Sequence, residues 1–145
     1  MKRYYVGVDW ADEFHQVWVS DPEGRKVAEM KVEQNAKGIS ELGRWFHERQ
    51  AEGIELWATI EKPHGRIVDF LLDHGVVVYP INPKALDRAR DRFRVSQSKS
   101  DSFDAYVLAD FLRTDHARLR ALEPDSAPAQ ELNPGFRSRK FKETD

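Results

Sequence analysis

Apolar and polar positions alternate at the start of the chain. Over residues 4–9, Tyr4, Val6 and Val8 fall on one side and Tyr5, Gly7 and Asp9 on the other, the period of a strand. "HQVWVS", residues 15–20, repeats the pattern, and "DPEG", residues 21–24, places proline second and glycine fourth in a turn. A third strand is predicted over about residues 26–32, making the first three strands an antiparallel meander. The period then lengthens. Ile39, Leu42, Trp45 and Phe46 mark one face of a helix over about residues 36–50, which Gly53 ends. "IELWATIE", residues 54–61, alternates again until "KPHG". Ile67, Phe70, Leu71 and His74 mark a second helix, and the unbroken apolar run in "GVVVYPIN" suits a strand covered on both faces. Asn82 caps a third helix with Pro83 in its first position. The polar segment 90–98 reads as a loop, and a last helix is predicted over about residues 100–114.

A meander followed by strand–helix–strand units implies an α/β fold, a mixed five-stranded sheet flanked by helices. The length of 145 residues suits one folded domain, assigned to residues 1–120. Residues 121–145 are rich in proline and charge and read as a linker or disordered tail.

Composition narrows the classes. Hydrophobic residues make up 40% and charged residues 33%, as in ordinary soluble domains, and no window approaches the roughly 18 apolar residues of a membrane span. "MKRYYVGVDW" lacks the apolar core of a signal peptide, so the expectation is a cytoplasmic protein with no membrane partner. The absence of cysteine excludes disulfides and thiolate metal sites. A net charge of −2 argues against a uniformly basic nucleic-acid binder, yet residues 84–99 hold six basic side chains against Asp87 and Asp91. These six (Lys84, Arg88, Arg90, Arg92, Arg94 and Lys99) suit contacts to nucleic-acid phosphates. The competing reading is a solvated helix face whose arginines are neutralised by the two aspartates.

The candidate chemistry is carboxylate. On a helical wheel, Asp101 and Asp104 fall with Ala105, Leu108 and Leu112 inside a sector of roughly 100°, continuing the core-facing stripe. Ordinary first-turn acids stabilised by the helix dipole are the alternative. Asp9 and Glu61 end two apolar strands that can lie side by side. Four acids meeting in one place would repel unless a cation neutralised them, and two Mg²⁺ ions would do so. His64 suits a proton shuttle or a plain turn residue, and Phe93 a base-stacking group or a core anchor. The other histidines have no metal-ligand spacing, Ser96, Ser98, Ser100 and Ser102 suit caps or loops, and no Walker or Rossmann glycine loop is present.

"GVDWA" with Asp9, "TIEKPHG" with Glu61, and "KSDSFDA" with Asp101 and Asp104 resemble the DEDD-motif transposases, as does "VYPINPKALDRARDRF" between the second and third of these motifs. The resemblance runs over about residues 4–120 and implies a RuvC-like domain on a ribonuclease H-like fold. It further implies that Asp9, Glu61, Asp101 and Asp104 hold two Mg²⁺ ions, with Mn²⁺ as a substitute, for DNA strand cleavage and transfer during transposition. Donor and target DNA, a structured guide RNA and further copies of the chain are the partners it implies. Members of the family add a coiled coil and a second domain bearing a nucleophilic serine, so this chain by itself is expected not to complete recombination. Two rivals stand beside this reading. One is a non-catalytic nucleic-acid-binding domain of the same fold. The other, an actin–hexokinase type ATPase, needs a second glycine-rich phosphate loop that the sequence lacks.

Overall fold

Strand alternation sorts side chains between two helical layers. The computed structural model describes residues 2–61, 65–93 and 102–122. It has β1 (Lys2–Asp9), β2 (Phe14–Ser20), β3 (Lys26–Glu33), α1 (Ala36–Ala51), β4 (Ile54–Glu61), α2 (Gly65–Asp73), β5 (Val77–Ile81), α3 (Pro83–Phe93) and α4 (Phe103–Asp115). The sheet order is β3-β2-β1-β4-β5. β1, β2 and β3 pair antiparallel, whereas β1–β4 and β4–β5 are parallel, which is the expected mixed sheet with its leading meander.

One sheet face carries Val6, Val8, Val17, Val19, Leu56, Ala58, Ile60 and Val78. Leu42 and Phe46 of α1 and Ile67 and Leu71 of α2 close over it. Burial at such positions stabilises the fold by about 1.5–3 kcal/mol per large apolar side chain. On the opposite face, Tyr5, Tyr79 and Ile81 meet α3 and α4 through Leu86, Ala89, Val107, Leu108 and Leu112. A sheet covered on both sides must be apolar on both, and β5 is accordingly a continuous apolar strand.

The second layer sits unusually close to β1. A Cβ on Gly7 would stand 1.9 Å from the carbonyl oxygen of Ala105 and 2.6 Å from the amide nitrogen of Ala109. Only glycine in the strand, facing the small Ala105 and Ala109, lets the helix backbone rest there. Trp18 of β2 meets Tyr106 of α4 edge-on, centroids 5.2 Å apart, and fixes the helix from the side.

Caps explain where the helices begin. Asn35 and Asn82 each accept a hydrogen bond from the backbone three residues on, at 2.8 Å, opening α1 and α3. The last helix starts at Phe103, later than its pattern predicts. Ser102 occupies the cap position without capping through its side chain, which instead hydrogen-bonds Glu29 of β3. The predicted loop over residues 90–98 is corrected for its first part, since α3 continues through Phe93. The segment is polar because one face is wet. Leu86 and Ala89 still turn inward, and arginine is a good helix former, with an Asp87–Arg90 pair three residues apart. Past α4 the chain remains attached to the sheet as far as Leu122, whose amide donates to the Val78 carbonyl at 2.7 Å.

His15 is fully buried rather than merely scattered. Its Nδ1 accepts from the Ala11 amide at 3.1 Å, Nε2 donates to Gln34, and Trp10 stacks on the ring. These contacts tie down the connection that follows Asp9. Among the described residues, no helix is long and apolar enough to cross a membrane.

The Gly7 contact gives a direct test. Gly7→Ala places a methyl group against helix backbone that has no rotamer to change. It should lower unfolding free energy by about 3 kcal/mol, the upper end of the usual overpacking range, in urea melts. Substitution at Gly53, where a Cβ meets nothing within 4 Å but φ is +85°, should cost about 1–2 kcal/mol from backbone strain alone.

Candidate active site

Parallel pairing of β1 with β4 places Val8 opposite Ile60. One residue further along each strand stand Asp9 and Glu61, side by side at the carboxyl ends. Adjacent strands run about 4.8 Å apart, so the two carboxylates are neighbours by construction. Alternation turns both toward the α4 face, on the side of Gly7 and Thr59. Asp104 immediately precedes Ala105, whose carbonyl rests on Gly7. The same close contact that seats the helix therefore delivers Asp104 to the ends of β1 and β4.

Electrostatics register this convergence. Asp9 is pushed up to about 6, first because burial strips water from its charge and next because Asp104 and Glu61 repel it, with Arg90 opposing. All three acids are half-buried. The structure thus brings together Asp9, Glu61 and Asp104 of the four acids singled out from the sequence, while Asp101 lies outside the described residues.

Asp104 already has a cationic partner. Arg90 of α3 donates Nε to Oδ1 at 2.9 Å and Nη2 to Oδ2 at 3.1 Å, and its Nη1 donates to Asp87. Among the described residues, no three histidine, aspartate or glutamate side chains stand arranged to hold a metal ion. The donor chemistry nevertheless fits one. The acids are hard oxygen ligands with Arg90 as their near counter-charge, and hard divalent cations take this kind of set.

The basic run divides. Lys84 and Arg88 are exposed on α3. Arg90 is engaged as described, and Arg92 pairs with Asp115 at 3.0 Å. Arg94, Lys99 and His64 lie outside the described residues, as does the Phe93 side chain. Sequence reasoning listed Arg90 as a phosphate contact and missed its hold on Asp104, a tertiary pair fourteen positions apart with no local signature. Gly7 could have been found, because a glycine inside a strand signals a close backbone approach.

The raised Asp9 carries a pH prediction. An acid whose folded pKa lies above its ordinary 3.8 stabilises the fold fully only below that value, and the contribution is lost as pH climbs through about 6. Without divalent metal, the wild-type chain should lose on the order of 1–2 kcal/mol over this window, after allowance for solvent screening. Asp9→Asn should flatten that part of the stability profile in denaturant titrations.

Comparisons with known proteins give the family and the fold. Residues 6–141 match the model of the transposase family DEDD_Tnp_IS110. The chain is 43% identical over 133 residues to a protein of Sinorhizobium fredii (strain NBRC 101917 / NGR234) named as transposase y4uE, covering 90% of this chain and 37% of that protein. It is 36% identical over 129 residues to one of Streptomyces coelicolor named as the mini-circle transposase for IS117, covering 88% and 31%. The chain thus spans about a third of the length of these relatives. T. thermophilus RuvC, solved in complex with a Holliday junction substrate, superposes with a TM-score of 0.59 at 13% identity, over 83% of this chain and 99% of that one. That likeness establishes the RuvC-like, ribonuclease H-like fold. With the family match running through nearly all of its length, this chain belongs to the IS110-type DEDD transposases.

Proposed function

We propose that this chain is the catalytic RuvC-like domain of its transposase, cutting and transferring DNA strands at a divalent-metal site formed by Asp9, Glu61, Asp101 and Asp104. The observation that carries the reading is the meeting of Asp9, Glu61 and Asp104 at one end of the sheet, where their mutual repulsion calls for a cation. Two Mg²⁺ ions, or Mn²⁺ in their place, would be held by these carboxylates and supply an activated attacking oxygen and charge relief for the leaving one. The residues do the positioning. β1 and β4 hold Asp9 and Glu61 at strand spacing, Gly7 sets the height of Asp104, and α4 excludes water from below.

DNA is the substrate this reading assigns, donor and target alike, in keeping with the junction bound by the RuvC neighbour. Exposed Lys84 and Arg88, followed by Arg92, Arg94 and Lys99, would contact backbone phosphates. A guide RNA paired with both DNAs, and further copies of the chain, complete the assembly. A second reading, a domain of the same fold that grips nucleic acid without cutting it, draws its support from Arg90, which engages both oxygens of Asp104.

Calorimetry separates the two. The wild-type chain should bind Mn²⁺, and Asp104→Ala should weaken that binding by at least about tenfold; equal affinities favour the non-cutting reading. For the basic helix, Lys84→Glu combined with Arg88→Glu should weaken duplex DNA binding and reduce the slope of log affinity against log salt by about 2. A slope identical to wild type would make both residues surface charge.

A further inference from the structure

The guanidinium of Arg90 bridges α3 and the first turn of α4 with all three of its nitrogens on carboxylates: Nε and Nη2 on Asp104, Nη1 on Asp87. Its side chain is 23% exposed, against 71% for Asp87. The group is therefore set inward on Asp104 and anchored outward on a solvated acid. Its charge also reaches Asp9 and Glu61. A divalent cation shared between Asp9 and Asp104 would stand next to this guanidinium, and two like charges at such range repel. Metal and Arg90 are competitors for one carboxylate.

We propose that Arg90 is a resident counter-cation that occupies Asp104 in the metal-free chain and is exchanged for metal when a DNA phosphodiester draws it away. The proposal rests on the metal reading of Asp104 given above. Three features support the exchange. A planar guanidinium matches a phosphate by the same two-pronged geometry that it uses on a carboxylate, so leaving Asp104 for DNA replaces one charge-assisted pair by another. Asp87, exposed and already bonded to Nη1, keeps the side chain directed outward during the change. Arg90 also lies on the helix whose exposed Lys84 and Arg88 suit a phosphate backbone. The consequence is coupling: DNA raises metal affinity, and by linkage metal raises DNA affinity by the same factor. A carboxylate site controlled in this way keeps Asp104 paired until substrate arrives.

The test is Mn²⁺ titration of the 145-residue chain by calorimetry, with Mn²⁺ paramagnetic resonance as a second readout, with and without a short DNA duplex. Arg90→Gln should bind Mn²⁺ about fivefold tighter or more. Arg90→Lys should also bind tighter than wild type, because the charge remains but the fork on Asp104 is gone. Duplex DNA should tighten Mn²⁺ binding to wild type and leave Arg90→Gln unchanged. Affinities in both variants equal to or weaker than wild type would overturn the proposal. If Arg90→Gln melts out of its fold, Arg90→Lys and the effect of DNA on wild type decide, and a wild-type affinity indifferent to saturating DNA overturns it. Failure of the metal reading looks different: wild type, both Arg90 variants and Asp104→Ala would all fail to bind Mn²⁺, removing that reading and this proposal together.

Discussion

The contact between the β1 backbone at Gly7 and the α4 backbone at Ala105 and Ala109 is the constraint on which the rest of the structure depends. Helices ordinarily stand off a sheet by the depth of a side-chain layer. Here, strand and helix meet almost bare, and the helix start drops to the level of the strand ends. Asp104 thereby reaches Asp9 and Glu61, acids supplied by two neighbouring parallel strands. Trp18 against Tyr106, and Ser102 against Glu29, hold the same helix from the meander side. The site is a product of packing, and its precision comes from rigid elements rather than from loops.

That geometry creates an electrostatic problem. Three half-buried carboxylates share a region from which water is partly removed, and Asp9 bears the consequence in its raised pKa. The chain meets part of the charge with Arg90, drawn from the one described helix that faces α4 across the second core. The guanidinium pairs with one acid directly and acts on the others at a distance. It leaves a net negative site, and this is the condition under which oxygen-rich clusters favour hard divalent ions. The outer layer is different in kind: α1 and α2 seal the other face of the sheet with apolar side chains and contribute stability without chemistry.

Much of this was legible in the sequence, for reasons that can be stated. β4 was read to both of its ends because its alternation is bounded by Gly53 and by "KPHG", and the start of α3 followed from Asn82 and Pro83. The acids Asp9, Glu61 and Asp104 could be proposed because each interrupts or continues an apolar pattern where charge is unexpected. Local pattern failed where tertiary structure decided. Residues 90–93 look like loop by their polarity, although Leu86 and Ala89 continue an inward face. The Arg90–Asp104 pair links two helices across a segment of chain, and no spacing rule finds such a partner. His15 looked idle because its burial and its bonds to Ala11 and Gln34 exist only once β1, β2 and the start of α1 are assembled. Asp101 lies outside the described residues, so its part in the site rests on the family resemblance.

The most direct measurement is anomalous diffraction from a crystal of the chain grown with Mn²⁺ and a short DNA duplex. The account predicts manganese peaks between the carboxylates of Asp9, Glu61 and Asp104, with the Arg90 guanidinium withdrawn from Asp104 toward a phosphate. An acid cluster free of manganese, with Arg90 still clasping both oxygens of Asp104 beside bound DNA, would contradict it.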